Sequence, residues 1–228
     1  MEIGIGRGRF FEDLLRRGFQ GLCLDLNREL IAEHANLERV KSRPVEFKAQ
    51  SFFSLTERFD LVVAFEVLEH YAEDADCLRK WVELLQPQGT LIFSVPAHMR
   101  QWTRNDELAG HARRYERREL LEKLGACGLT VERLWCYGFP VLNLTYPLSS
   151  GLPRKSVPTV ANPERDDPRM ASFQKTLSSG DRRFLGLSNW LFSELFWLPW
   201  LHAQRPFLEG DSGTGYIVKC ALSNRVEP

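Results

Sequence analysis

Hydrophobic positions along the chain follow two alternating rhythms, one of strands and one of helices. Residues 1–5 read as a short apolar strand, after which Phe10, Phe11, Leu14 and Leu15 share one face of a helix that Gly18 ends. Residues 21–25 form a second compact strand, and Leu30, Ile31, His34 and Leu37 mark a second helix with His34 on its packing stripe. A short strand follows at 45–48. Residues 60–65 are apolar on both faces, the pattern of a central strand buried in a parallel sheet. Leu78, Trp81, Val82 and Leu85 keep the spacing of a covering helix, and Pro87-Gln88-Gly89 turns the chain into a buried strand at 90–95. Leu120, Leu121 and Leu124 belong to a further helix capped by Gly128, and 129–137 is the next strand.

Strands alternating with helices of this length predict an α/β fold, a doubly wound and largely parallel sheet covered on both faces. The alternation breaks after Gly138. Residues 147–180 are rich in Pro, Ser and Gly, the composition of a long loop or partly ordered insertion. An aromatic helix is expected over 187–202 and a last strand over 216–222. Three regions follow: a core over 1–137, an insertion with its aromatic helix over 138–210, and the final strand and tail over 211–228.

At 228 residues, 43% hydrophobic and 26% charged, the chain has the size and make-up of one large globular domain. Lys+Arg and Asp+Glu balance at 30 each, so no overall field draws in nucleic acid, and no such partner is expected. Cys23, Cys77, Cys127, Cys136 and Cys220 form no CxxC pair and no metal-like spacing. They point to a reduced, cytoplasmic protein without a metal. Residues 1–4 lack the features of a signal peptide. The apolar run at 187–201 is broken by Ser193, Glu194 and Pro199 and falls short of the roughly 20 residues of a membrane span. Its Trp190, Phe192, Phe196, Trp197 and Trp200 suit packing on the sheet or a wall for an apolar or aromatic substrate. With Arg182, Arg183 and Arg205 they also suit a weak membrane-surface contact.

Candidate chemistry gathers where the first strand turns into the first helix, at Glu2-Ile3-Gly4-Ile5-Gly6-Arg7-Gly8. Glycines there allow positive φ and close approach to a ligand. Asp25 closes the next strand, where a carboxylate can accept hydrogen bonds from both hydroxyls of a ribose. Each piece has a plainer use: the glycines in a tight turn, Asp25 as a cap for the helix starting near Asn27. Joined on a strand–turn–helix–strand frame, they predict a nucleoside cofactor. The spacing is GxGxG, not the GxGxxG of dinucleotide sites. Glu2 ahead of the loop suits a cofactor carrying an amino group and a sulfonium better than a pyrophosphate.

This loop, Asp25, the run Phe59-Asp60-Leu61-Val62-Val63-Ala64-Phe65-Glu66-Val67-Leu68-Glu69-His70 and Gln86-Pro87-Gln88-Gly89-Thr90-Leu91 resemble the successive motifs of class I S-adenosylmethionine-dependent methyltransferases. The likeness covers residues 1–137 and is greatest to the broad branch that includes ubiquinone-type O-methyltransferases. It implies a Rossmann-like sheet of order 3-2-1-4-5-7-6 with an antiparallel last strand, and S-adenosyl-L-methionine as cofactor. By the same resemblance Gly4, Gly6 and Gly8 form the cofactor loop, with Gly4 and Gly6 against the methionine part. Glu2 then fixes the amino group through water, Asp25 binds the ribose, Leu26 touches the adenine, and Phe65 and Glu66 line the methionine side. Where the family has an acidic residue near the adenine amine, this chain offers Gln50 and Ser51, and an amide oxygen can accept the same hydrogen bond. The family also carries a helical segment before the first strand. Here the sequence starts almost on the loop, which implies an open site of weak affinity, cover by a partner, or a start codon placed late.

Beyond the fifth strand, Gly110-His111-Ala112-Arg113-Arg114-Tyr115 resembles a loop motif of the same branch. His111, Tyr115 and His98 are the candidates to orient a nucleophile or accept its proton. The plainer reading has His111 and Arg114 tying the loop down, and His70 ending the turn at 67–69. Methyl transfer gains most from placing the nucleophile in line, so a base is needed only where the acceptor must lose a proton. The expected function is methyl transfer to a small-molecule acceptor at oxygen, nitrogen or carbon, with residues 138–210 selecting the acceptor. Two alternatives stay open: a scaffold of the same fold with a vestigial site, and a nicotinamide-dependent oxidoreductase.

Overall fold

The computed structural model describes residues 1–6, 8–37, 40, 43–143, 199 and 202–223. The loop expected at 147–180 lies outside them, as does all but a few residues of the helix expected at 187–202. The described chain forms a seven-stranded sheet of β1 (Glu2–Ile3), β2 (Gly21–Asp25), β3 (Val45–Ala49), β4 (Phe59–Phe65), β5 (Leu85–Pro96), β6 (Leu129–Tyr137) and β7 (Gly215–Leu222). Its order is β3-β2-β1-β4-β5-β7-β6. Neighbours from β3 to β5 run parallel, whereas β7 is antiparallel to both β5 and β6. This is the order and the final reversal that the sequence resemblance implies.

Helices α1 (Arg9–Arg16), α2 (Arg28–Ala35), α3 (Asp74–Glu83), α4 (Arg104–Ala109) and α5 (Arg117–Ala126) follow or link the strands. Val62, Ala64, Leu91 and Phe93 from β4 and β5 are buried with Leu78 and Trp81 of α3 and Leu120 and Leu124 of α5. A second cluster joins Ile5, Phe11, Leu15, Cys23 and Ile31 beneath α1 and α2. Burial of each large apolar side chain contributes about 1.5–3 kcal/mol, which makes the central strands the rigid part on which the strand-end loops rest. All five cysteines are free, and four are buried as small hydrophobes. Among the described residues no helix is long and apolar enough to cross a membrane.

The structure departs from the sequence pattern at two places. Leu85 begins β5 rather than ending the covering helix, and Pro87-Gln88-Gly89 is absorbed as a bulge inside that strand. The pairing moves from Phe59 opposite Leu85 to Leu61 opposite Thr90 across it. A Cβ at Gly89 would sit 2.9 Å from the Gln86 carbonyl and 3.0 Å from that of Phe59, so the bulge needs glycine. Leu121 is the other departure: it is exposed, while Leu120 and Leu124, one turn apart, share the buried face of α5.

Candidate functional site

Parallel pairing brings the carboxyl ends of β1, β2 and β4 to the same end of the sheet. There Gly4, Gly6 and Gly8 adopt φ of 71°, 50° and 69°, the left-handed region that favours glycine. The loop hangs on β2, because the Gly4 and Ile5 N–H groups donate to the Leu24 carbonyl at 2.8 and 3.2 Å. Asp25, 4% exposed, accepts from the Asn27 N–H at 2.9 Å and from the Gly6 N–H at 3.4 Å. Burial raises its carboxyl above the ordinary value, against the N–H groups of Asn27, Gly6 and Leu26 and the charge of His34. The cap of α2 is Asn27, whose Oδ1 accepts from Glu29 and Leu30 at 2.9 and 3.0 Å. Asp25 is therefore not that cap; it ties the glycine loop to the entry of α2.

His34, which the sequence assigns to packing, also locks the glycine loop. Its Nε2 lies 2.9 Å from the Gly6 carbonyl, and its ring covers Gly8 so closely that a Cβ there would lie 2.7 Å from Cε1. Gly8→Ala therefore combines a left-handed alanine with overpacking and should cost about 2–4 kcal/mol in urea denaturation. Adding His34→Ala should recover the overpacking part, and strictly additive losses would contradict the contact.

Ile3, Gly4, Leu24, Asp25, Leu26, Gln50, Phe52 and Tyr71 line one narrow cleft beside this loop. It brings together Gly4, Asp25, Leu26 and Gln50 of the expected cofactor residues. Phe52 and Tyr71 are aromatic additions whose rings stand 5.7 Å apart, edge to face. They come from a 3-10 turn and a loop, which carry no periodicity to mark them. Ser51 is spent otherwise, since its hydroxyl accepts from the Phe53 N–H at 3.3 Å and caps that turn.

Glu2 also departs from the expectation that it fixes the cofactor's amino group. Successive strand residues face opposite sides of the sheet, so Ile3 lines the cleft while Glu2 faces a separate cavity of about 330 Å³ with Phe11, Leu15 and Arg58. Burial pushes its carboxyl up to about 8, against the pull of the amino terminus.

At the tip of β4, the Phe65 ring meets Phe10 edge-on at 4.7 Å. Glu66 follows with φ of 54°, a strained conformation for a glutamate of the kind that clusters at functional sites. Its exposed carboxylate accepts from Ser94 Oγ at 2.6 Å and Tyr137 OH at 3.2 Å.

Next to this tip the segment 110–115 folds over the turn Leu68–His70, with the Ala112 N–H donating to the Glu69 carbonyl at 2.7 Å. His111 Nδ1 lies 3.0 Å from Asp106 Oδ1, while its Nε2 faces Glu69 Oε1 at 3.8 Å. Asp106 also takes a two-pronged contact from Arg114 at 2.9 and 3.1 Å. Burial alone would raise the Asp106 carboxyl, but hydrogen bonds from His111, Arg114 and Thr103 outweigh it and hold it near 2. An ionised Asp106 only accepts, so His111 donates from Nδ1, which leaves Nε2 turned toward Glu69. The plainer of the two uses foreseen for this histidine is the one seen here: it ties the loop to Asp106.

The other two expected catalytic side chains are placed elsewhere. Tyr115 is fully buried, with its hydroxyl donating to Asp74 at 3.0 Å, and burial followed by the Asp74 charge raises its phenol well above normal. It serves the core and offers nothing to a substrate. His98, 2% exposed, turns to Glu116 and Tyr216.

Glu69 was not foreseen. It is fully buried, neither carboxylate oxygen has a hydrogen-bond partner among the described residues, and burial followed by the charge of Glu66 raises its carboxyl well above normal. His70 packs edge-on to His111 at 4.9 Å and is lowered to about 4 by burial and then by His111. Glu69, His70 and His111 bring ligand atoms within 4.8 Å of one another, as do His98, Cys136 and Asp211. Either set could hold a cation, although no sequence spacing announced one.

Sheet order, glycine loop and strand-end carboxylate together define a Rossmann-like nucleoside-binding protein. A family model described as a methyltransferase domain matches residues 1–134, and the chain belongs to that family. The ubiquinone biosynthesis O-methyltransferase of Xanthomonas campestris pv. campestris (strain B100) is 33% identical over 99 residues, 41% of this chain and 41% of that protein. The chain thus spans about two fifths of the length of this curated relative. Among solved structures, the cyclase SpnF is 16% identical with a TM-score of 0.56, covering 97% of this chain and 73% of that one. Magnesium protoporphyrin IX methyltransferase from Synechocystis PCC 6803, solved with bound SAH, is 20% identical with a TM-score of 0.50, covering 58% and 64%. The family match sets aside the nicotinamide-dependent oxidoreductase.

Proposed function

We propose that this chain transfers a methyl group from S-adenosylmethionine to a small acceptor, apolar or aromatic, in the cytoplasm. The observation that carries the reading is the cleft in which the Asp25 carboxylate stands beside the Gly6 N–H, with Gly4, Leu26 and Gln50 around it. Support comes from the family, from a relative named as an O-methyltransferase and from a neighbour solved with bound SAH. The free cysteines agree with a reducing compartment.

Asp25 receives the ribose hydroxyls, Leu26 and Gln50 meet the adenine, and Gly4, Gly6, Phe65 and Glu66 bound the methionine part. The bound cofactor supplies an electrophilic methyl on a sulfonium. The chain's own task is to place the acceptor in line and to keep water out, which accounts for most of the rate gain. Where the acceptor is a hydroxyl, His111 Nε2 takes its proton, and Asp106 holds the ring in the correct tautomer and steadies the charge that forms. Incubation with methyl-labelled cofactor and a panel of phenols should yield labelled ether. His111→Gln should lower kcat by about 10²–10⁴-fold and leave S-adenosylhomocysteine affinity unchanged. Cofactor binding with no transfer to any acceptor would instead support the vestigial scaffold.

A further inference from the structure

On the far side of β5 a second group of side chains converges that the methyl-transfer site does not use. His98 follows β5, Cys136 is next to last in β6, and Asp211 precedes β7. Their ligand atoms lie within 4.8 Å of one another. The edges of a tetrahedron built on zinc bonds of about 2.0–2.3 Å run roughly 3.3–3.8 Å, so closure requires shifts of about an ångström.

Each of the three already has the support that a metal ligand needs. His98 is buried with its Nδ1 held by Glu116 at 3.0 Å, which leaves Nε2 pointing into the group. That nitrogen has no hydrogen-bond partner among the described residues; Asp211 Oδ1 stands 3.7 Å away, too far for one. A carboxylate behind a histidine ring is the usual outer partner of a metal-bound imidazole. Cys136 Sγ accepts the Gly213 N–H at 3.0 Å, and Asp211 Oδ1 accepts the Tyr216 hydroxyl at 2.5 Å. His98 also has φ of 61°, a strained backbone that needs a reason.

We propose that His98 Nε2, Cys136 Sγ and Asp211 Oδ1 form a zinc site, with water in the fourth position on the exposed side of Asp211. One nitrogen, one thiolate and one carboxylate are a donor set suited to zinc and poorly suited to magnesium or calcium. On binding, the Cys136 thiol gives its proton to solvent, and His98 coordinates through the Nε2 lone pair. Cys136 and Asp211 stand on either side of residues 138–210. The ion clamps the two ends of that segment to the tip of β5, fixing the base of the region expected to choose the acceptor.

The test uses the full chain stripped with chelator and titrated with Co²⁺ as a spectroscopic probe, then with Zn²⁺ against a chromophoric chelator. The expected result is a thiolate-to-cobalt charge-transfer band in the wild type. The band persists in His111→Gln, which lies in the other candidate group, and disappears in Cys136→Ser. Asp211→Asn, which keeps an oxygen to accept the Tyr216 hydroxyl, should weaken zinc at least about tenfold. Zinc should raise the melting temperature of the wild type more than that of Cys136→Ser. A folded wild type with no charge-transfer band, or a band that survives in Cys136→Ser, overturns the site.

Discussion

Replacing Asp25 by alanine is expected to weaken binding of S-adenosylhomocysteine at least about a hundredfold. Hydrogen bonds to a charged group contribute about 1.5–3 kcal/mol each, and two ribose hydroxyls on one carboxylate give about 3–6 kcal/mol, or 10²–10⁴ in Kd. The carboxylate is nine-tenths buried, so water cannot replace it cheaply. Alanine also releases the N–H groups of Gly6 and Asn27, which loosens the loop that faces the methionine part. Asp25→Asn separates the two effects: it keeps most of the shape and removes the charge. Calorimetry on both variants, with melting curves to show that they fold, checks the claim. An alanine variant that binds like the wild type would mean the ribose is held elsewhere.

Asp106→Ala should cause the largest loss of stability. Arg114 is buried and gives its guanidinium to Asp106 and to the Ala97 carbonyl at 3.0 Å; without the carboxylate a buried charge is left uncompensated. Breaking such a pair costs about 3–5 kcal/mol, a fall of roughly 6–20 °C in a domain of this size. Acid should act in the same direction. The Asp106 carboxyl is held near 2 against an ordinary 3.8, so its contribution is complete above 3.8 and is lost as pH falls through about 2. That difference corresponds to about 2 kcal/mol. In the variant this acid-dependent part of the unfolding free energy should be absent. A variant as stable as the wild type at pH 7 would show that the ion pair is neutral to the fold.

Much of this was legible from the sequence because the relevant signals are local. A strand apolar on both faces at 60–65 and a carboxylate closing 21–25 become β4 and Asp25 of β2, whose carboxyl ends the parallel sheet places on one side. Gly8 was legible as a loop glycine, but not that the His34 ring, arriving from the next helix, is what demands it. Glu2 misled because a motif gives a residue's position and not its face: a strand so short sends adjacent side chains to opposite sides of the sheet. Tyr115 misled for a similar reason, since a polar handle in a loop motif says nothing of whether Asp74 on α3 has already claimed it. Glu69 beside His111 and the His98–Cys136–Asp211 group join segments far apart in the chain, and only the fold brings them together, whereas Asp106 and Arg114 are eight residues apart in a loop already read as tied down.

The central claim is that the glycine loop and the carboxylate at the end of β2 hold an adenosyl group beside a positively charged sulfur. Titrating the folded wild-type chain with S-adenosylhomocysteine in a calorimeter tests it most directly. Saturable binding at a single site is the predicted result; no heat and no thermal shift from a protein that melts cooperatively would contradict it.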